Sequence, residues 1–271
     1  MLELDSTVVF AFLLTLGAGL STGLGSALGL LNRGFSPRVL TLALSFSAGV
    51  MLYVSFVEIF PKARQSLSSA LGSTPGYWAT VLAFFGGILA IALIDRLLPT
   101  HENGLTPALQ GLGRTSCSNP DLLRTGLFSA LAIASHNVPE GLATFIGALS
   151  SPRLGIGIAI AIDIHNIPEG LAVSAPIYYA TGSRRKAFWI SLASGLAEPV
   201  GAVVGFVFLG TMLNNHLVLG LVFASVAGVM IYICLDELLP TAQRMGSHHH
   251  LMIGGVLAGM VVMSLSLLLL I

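Results

Sequence analysis

Residues 136–143 read His-Asn-Val-Pro-Glu-Gly-Leu-Ala and residues 165–172 read His-Asn-Ile-Pro-Glu-Gly-Leu-Ala, identical at seven of eight positions with a spacing of 29. Each stretch sits inside an apolar run long enough to cross a bilayer, which needs about 20 residues for a core of about 30 Å. On a helix His136 and Glu140 are four residues apart and Asn137 three from the carboxylate, so imidazole, amide and carboxylate share one face. His165, Asn166 and Glu169 repeat that face. Pro139 and Pro168 lack an N–H and disturb the turn before them, loosening the carbonyls of Ser135 and Ile164, which at membrane depth must line a cavity or find other partners. Gly141 and Gly170 permit another helix to approach closely.

Around this pair the composition is that of a membrane protein. Of 271 residues, 12 are Lys or Arg and 12 are Asp or Glu, so 9% are charged against about 25% in a soluble domain, and the mean hydropathy is +0.90. Eight apolar runs stand out, at about 7–31, 38–60, 77–98, 123–149, 154–179, 186–213, 217–239 and 251–271. The expected fold is an all-α polytopic membrane protein, a single transmembrane transporter domain over 1–271 with a polar cytoplasmic loop at about 99–122. The zero net charge and scattered cations exclude a nucleic-acid surface. Cys117 in the polar loop and Cys234 in an apolar run do not suggest a disulfide or a thiolate site. The acidic start lacks the positive region of a cleaved signal, so the first run is expected to remain as a span.

A second repeat flanks the first. AGVMLYVSFVEIFPKA from Ala48 aligns with AGVMIYICLDELLPTA from Ala227 at eight identities in sixteen, pairing Met51 with Met230, Glu58 with Glu237 and Pro61 with Pro240. Gly19, Gly25 and Gly29 align in the same way with Gly195, Gly201 and Gly205. Spans one to three therefore resemble spans six to eight. Matching spans are five apart, an odd number, so each pair runs in opposite directions through the bilayer, an inverted 3+2+3 arrangement of the kind secondary transporters use. With the N-terminus outside, nine cations (Arg33, Arg38, Arg96, Arg114, Arg124, Arg184, Arg185, Lys186, Arg244) fall on inner loops and three (Lys62, Arg64, Arg153) on outer ones. That bias predicts both termini outside the cytoplasm.

Two imidazoles, two amides and two carboxylates on adjacent helices form a donor set suited to Zn²⁺ and other first-row divalent ions. Each ionised Glu at the bilayer centre costs about 2.5 to 3.5 kcal/mol on insertion scales, so Glu140, Glu169 and Glu198 together call for a compensating cation. The competing reading of these residues is a hydrogen-bonded polar core that fixes helix register. Asp163, three residues before Asn166, is a further ligand candidate or a proton acceptor. Glu58 near the outer end of the second span and Glu237, beside Asp236, near the inner end of the seventh are candidate carboxylates at the two mouths of a path. Met51 offers a thioether toward the pore, against the plainer reading of a methionine that fills space in an apolar helix.

HNVPEG and HNIPEG in consecutive spans, the sixth-span acid in GLAEPVG and the eight-span inverted repeat resemble the ZIP family of divalent metal transporters, in its bacterial zinc-uptake branch. The resemblance covers essentially the whole chain. It implies metal-coordinating roles for His136, Asn137, Glu140, His165, Asn166, Glu169 and Glu198, a centre able to take two metals, a homodimer in the lipid bilayer of the plasma (inner) membrane, and an elevator-like movement of the metal-bearing helices. Family members with Gln-Asp where this chain has His165-Asn166 carry another acid there. Neutral Asn166 lowers the charge available to a second metal, and Asp163 is the candidate to replace part of it. The expected function is import of Zn²⁺, with Fe²⁺, Mn²⁺, Co²⁺ and Cd²⁺ as further substrates, by alternating access. A resident cofactor is not expected, and neither is enzymatic activity: HExxH is absent and no Ser or Cys nucleophile pairs with a His. A metal-gated channel would use the same ligands. His248, His249 and His250, with His101 and Glu102 on the same inner side, are read first as solvated loop residues and second as a place to collect metal leaving the path, and His216 receives no role.

Overall fold

The computed structural model describes residues 6–31, 36–97, 120–209, 215–244 and 249–268. They form eleven α-helices, which we number α1 (Ser6–Leu31), α2 (Pro37–Val54), α3 (Phe60–Leu71), α4 (Ser73–Leu97), α5 (Pro120–Ser150), α6 (Pro152–Thr181), α7 (Arg184–Gly195), α8 (Ala197–Leu209), α9 (His216–Ile233), α10 (Leu239–Arg244) and α11 (His249–Leu268). Seven segments are long and apolar enough to cross a membrane: Ser6–Leu31, Pro37–Leu71, Ser73–Arg96, Pro152–Thr181, Arg184–Phe208, His216–Gln243 and His249–Leu268. The 31-residue α5 has the length to cross as well. Cys117, His101, Glu102 and His248, and most of the predicted 99–122 loop, lie outside the described residues.

Local chemistry sets the ends. Pro37 and Pro152 open α2 and α6, where a missing N–H costs nothing. Asn215 caps α9 through its Oδ1, 2.9 Å from the Leu217 N–H, and Ser183 caps α7 through the Lys186 N–H at 3.3 Å. Gly182 closes α6 at φ 64°, a left-handed conformation in which a side chain would be strained. The polarity of the molecule is inverted relative to a soluble protein. Trp78, Leu82, Phe85, Leu89 and Leu93 form an exposed apolar stripe on α4, while His136, Asn137, Glu140, His165, Asn166, Glu169 and Glu198 are buried.

Three departures from uniform helices each have a proline beside them. The span expected to run unbroken over 186–213 is interrupted at Leu196, because the Pro199 ring would collide with the Gly195 carbonyl four residues back. Within the second span, Ser55–Ile59 forms a π-turn whose Phe60 N–H reaches back five residues to the Ser55 carbonyl. The turn inserts its extra residue ahead of Pro61, and Cys234–Leu238 does the same ahead of Pro240, with Leu239 N–H on the Cys234 carbonyl. Glu58 and Glu237 ride on these two turns. By contrast α5 and α6 run through Pro139, Pro168 and Pro176 without a break.

The helices pack as two sets. One contains α1, α5, α6, α7 and α8; the other contains α2, α3, α4, α9, α10 and α11; α2 and α11 on α6 and α9 on α5 join them. Within each set the backbones touch at glycine. Gly19 and Gly195 each lie against the other's carbonyl, Gly25 lies on the Ile167 carbonyl and Gly201 on that of Val138. Gly170 meets the Thr22 carbonyl as Gly141 meets that of Glu198. In the second set Gly49 lies on the Val256 carbonyl, Gly228 on Phe84, Gly87 on Ser225 and Gly259 on Phe46. These contacts come in pairs: in the first set the partners in a pair are the residues the sequence repeats align, and in the second Gly49 and Gly228 are aligned in the same way.

Candidate metal site

The twin motifs face each other where α5 crosses α6, and their side chains pair across the crossing. His136 Nε2 lies 3.5 Å from Glu169 Oε2, and His165 Nε2 lies 3.4 Å from Glu140 Oε2. The i,i+4 spacing predicts His and Glu on one face of one helix, which they occupy, but the polar contacts join each His to the Glu of the other motif. The amides turn to the flanking helices. Asn137 Nδ2 donates to the Ser194 carbonyl at 3.0 Å and Asn166 Nδ2 to the Ala18 carbonyl at 3.0 Å. Asn166 also donates to Glu198 Oε1, which brings the sixth-span acid to the motifs. Glu198 reaches this position in the first turn of α8, next to the Leu196 break.

All seven residues are buried, with at most 1% of their surface exposed. The pairing leaves lone-pair atoms over: Asn137 Oδ1, Glu140 Oε1, His165 Nδ1, Asn166 Oδ1 and Glu198 Oε2 have no hydrogen-bond partner. An unsatisfied buried polar group is costly, and natural proteins keep few of them. These five atoms, carried by the twin motifs and Glu198 and all able to offer lone pairs, are donors of the oxygen and imidazole type that divalent first-row ions accept. Among the described residues no three His, Cys, Asp or Glu groups stand together in a finished ligand set. The imidazoles hold carboxylates instead, so binding an ion requires these side chains to turn from each other toward it.

The remaining candidates spread outward from this cluster. Asp163 is half-buried on α6 with Oδ1 unpartnered, and Met51 is fully buried on α2. Glu58 lines a cavity of about 650 Å³ together with Tyr53, Lys62, Arg153 and His216. His216, given no role from sequence, thus shares that wall, with its Nδ1 3.4 Å from Ser66 Oγ. Glu237 is half-buried on its π-turn, while His249 and His250 are exposed at the start of α11. Two participants escaped the sequence reading. Ser47 on α2 donates toward Glu169 Oε1 at 3.5 Å. Thr22, which the glycine alignment sets opposite Glu198, is buried with its hydroxyl unpartnered. The signal for both lay in reading the repeats past their identities to the positions where they differ.

A helical membrane protein with a buried, duplicated His-Asn-Glu cluster at its centre is a metal transporter in architecture. The family model of the ZIP zinc transporters matches residues 119–267, and the chain belongs to that family, which consists of transporters and not of enzymes. The chain is 60% identical to zinc transporter ZupT of Chlorobaculum parvum over 268 residues, covering 98% of this chain and 99% of the relative. It is 52% identical to zinc transporter ZupT of Lysinibacillus sphaericus over 272 residues (99% and 100%), and 52% to that of Streptococcus mutans over 259 residues (96% and 97%).

Proposed function

We propose that the chain imports Zn²⁺ across the plasma membrane by alternating access, with His136, Asn137, Glu140, His165, Asn166, Glu169 and Glu198 as the mid-membrane ligands. The observation that carries this reading is the buried cluster of seven polar side chains with five unpartnered lone-pair atoms. In the proposed topology the chain spans eight times as an inverted 3+2+3 repeat, α5 being the fourth span, with both termini outside. Paired contacts support the inversion, since Asn137 on Ser194 answers Asn166 on Ala18, and the π-turn at Ser55–Ile59 answers that at Cys234–Leu238.

The set α1, α5, α6, α7 and α8 is the moving, metal-bearing body, and the other set is its frame. Support comes from where the backbones touch: among the described residues, every glycine whose Cβ would meet a neighbouring helix's carbonyl at contact-breaking distance does so inside one set. Surfaces locked that way move as a unit, whereas side-chain packing between the sets permits sliding. The homodimer and the further substrates Fe²⁺, Mn²⁺, Co²⁺ and Cd²⁺ belong to the same reading, the latter because imidazole, amide and carboxylate donors accept several such ions. No G-x-x-x-x-G-K-[ST] sequence occurs, so the metal gradient, the membrane potential or a coupled proton drives uptake. An ion of charge 2+ gains about 4.6 kcal/mol on moving inward through 100 mV, twice the single-charge value.

The test is Zn²⁺ flux into proteoliposomes across metal concentration and voltage. Carrier flux saturates and rises with inside-negative potential; flux that stays linear in metal contradicts alternating access. In this reading the ion enters past Glu58, meets Met51 along the way and leaves past Glu237. Glu58→Gln should raise the half-saturating Zn²⁺ concentration about threefold, because it removes the one acid from a cavity wall that also carries Lys62 and Arg153, while the maximal rate changes less. An unchanged half-saturation would assign Glu58 to the interface alone.

A further inference from the structure

The two motifs are nearly identical in sequence and cross-paired in space, yet their carboxylates are not held alike. Glu169 is engaged at both oxygens: Oε2 faces His136 Nε2 at 3.5 Å and Oε1 receives the Ser47 hydroxyl at 3.5 Å. Glu140 is engaged at Oε2 by His165, and its Oε1 has no partner. The cause lies outside the motifs. The alignment that sets Ala48 against Ala227 sets Ser47 against Val226, which is buried and has no proton to donate. Ser47 is itself fully buried, and the one proton of its hydroxyl has a second acceptor within reach, the His165 carbonyl at 3.4 Å on the same helix α6, which shares it with Glu169 Oε1. Both contacts cross from α2 in one helix set to α6 in the other.

We propose that Ser47 is a positioning residue for the transported metal: it orients the Glu169 carboxylate from the facing helix set and so makes the twin motifs unequal ligands. Glu140, with a free oxygen, turns toward an ion without breaking any contact at that atom. Glu169 turns from His136 toward the ion with its other oxygen still held by a donor that does not belong to the metal-bearing body. Because the hold spans both helix sets, it must be released and remade whenever they slide. The inference rests on Glu169 being a metal ligand.

Zn²⁺ binding to the full-length chain purified in detergent, measured by titration calorimetry, tests it with four proteins: the unaltered chain, Ser47→Ala, Glu169→Gln and the double variant. Ser47→Ala should weaken Zn²⁺ binding about three- to tenfold, the range for losing one ordinary hydrogen bond, because the 3.5 Å contact is a long one. It should add nothing in the Glu169→Gln background, where the carboxylate it positions is gone. Ser47→Thr, which keeps the hydroxyl, should bind within about twofold of the unaltered chain. Unchanged binding in Ser47→Ala, an equal loss in Ser47→Thr, or the same loss added on top of Glu169→Gln would each overturn the proposal. Undiminished binding by Glu169→Gln itself would instead strike at the ligand set, and the role of Ser47 would fall with it.

Discussion

Zinc uptake should fall by about 100-fold or more when His136 or Glu140 is replaced by alanine, while the protein remains folded. Outer-shell partners of a metal site cost about 10- to 100-fold when removed, so loss of a direct ligand belongs at or beyond the top of that range. The two variants act on different pairs. His136→Ala takes the partner from Glu169 Oε2, and Glu140→Ala takes the partner from His165 Nε2. Their shared loss of flux would therefore come from the ion's ligands and not from one damaged contact. Retention of the fold follows from what holds α5 in place. Gly141 sits on the Glu198 carbonyl and Gly201 on that of Val138, contacts that neither substitution touches. Flux of a zinc-sensitive dye in proteoliposomes, with gel filtration and circular dichroism on the same preparations, decides it. Near-normal flux in both variants would remove the twin motif from the mechanism.

The donor types of the candidate site and their shared helix face were legible because they are written locally. Four-residue spacing of His and Glu, duplicated inside apolar runs, names donor types and their face without any knowledge of packing. The cross-pairing of His136 with Glu169 and of His165 with Glu140 was not legible, since it depends on the angle and register at which α5 meets α6. The proline effects were half legible. Disturbed turns were expected at Pro139 and Pro168, where α5 and α6 run unbroken, while the same residue type breaks the helix at Leu196 ahead of Pro199 and follows a π-turn at Pro61 and Pro240. Which of these results appears depends on whether neighbouring helices can take up the displaced carbonyl. Ser47 was hidden for another reason. A serine in an apolar run carries no pattern of its own, and it gains meaning only opposite Val226, once the repeat has been laid over the packed helices.

The second large effect lies in those packed helices and does not involve a polar group. Gly25 of α1 rests against the Ile167 carbonyl, between Asn166 and Glu169, so a Cβ at this position runs into backbone that has no rotamer to move. Gly25→Ala must separate α1 from α6 or shift α6 along with its ligands. Overpacking of this kind costs about 1 to 3 kcal/mol, and for a chain of this size each kcal/mol lowers the unfolding midpoint by about 2 to 4 °C. The variant should therefore lose about 3 to 10 °C in a detergent melting assay and most of its zinc flux as well, since Asn166 and Glu169 are displaced with the helix. Gly201→Ala, against the Val138 carbonyl beside Asn137, should behave the same way through α5. Gly17→Ala and Gly86→Ala supply the contrast: a Cβ at either position meets nothing within 4 Å, and the gain in helix propensity leaves stability equal or slightly raised. If Gly25→Ala melts and transports like Gly17→Ala, then contact between α1 and α6 does not set the position of the metal ligands. A loss confined to Gly25 and Gly201 would show that the small residues of both repeats hold the ligand-bearing helices in register, and that the polar motif functions only on a frame whose backbones are allowed to touch.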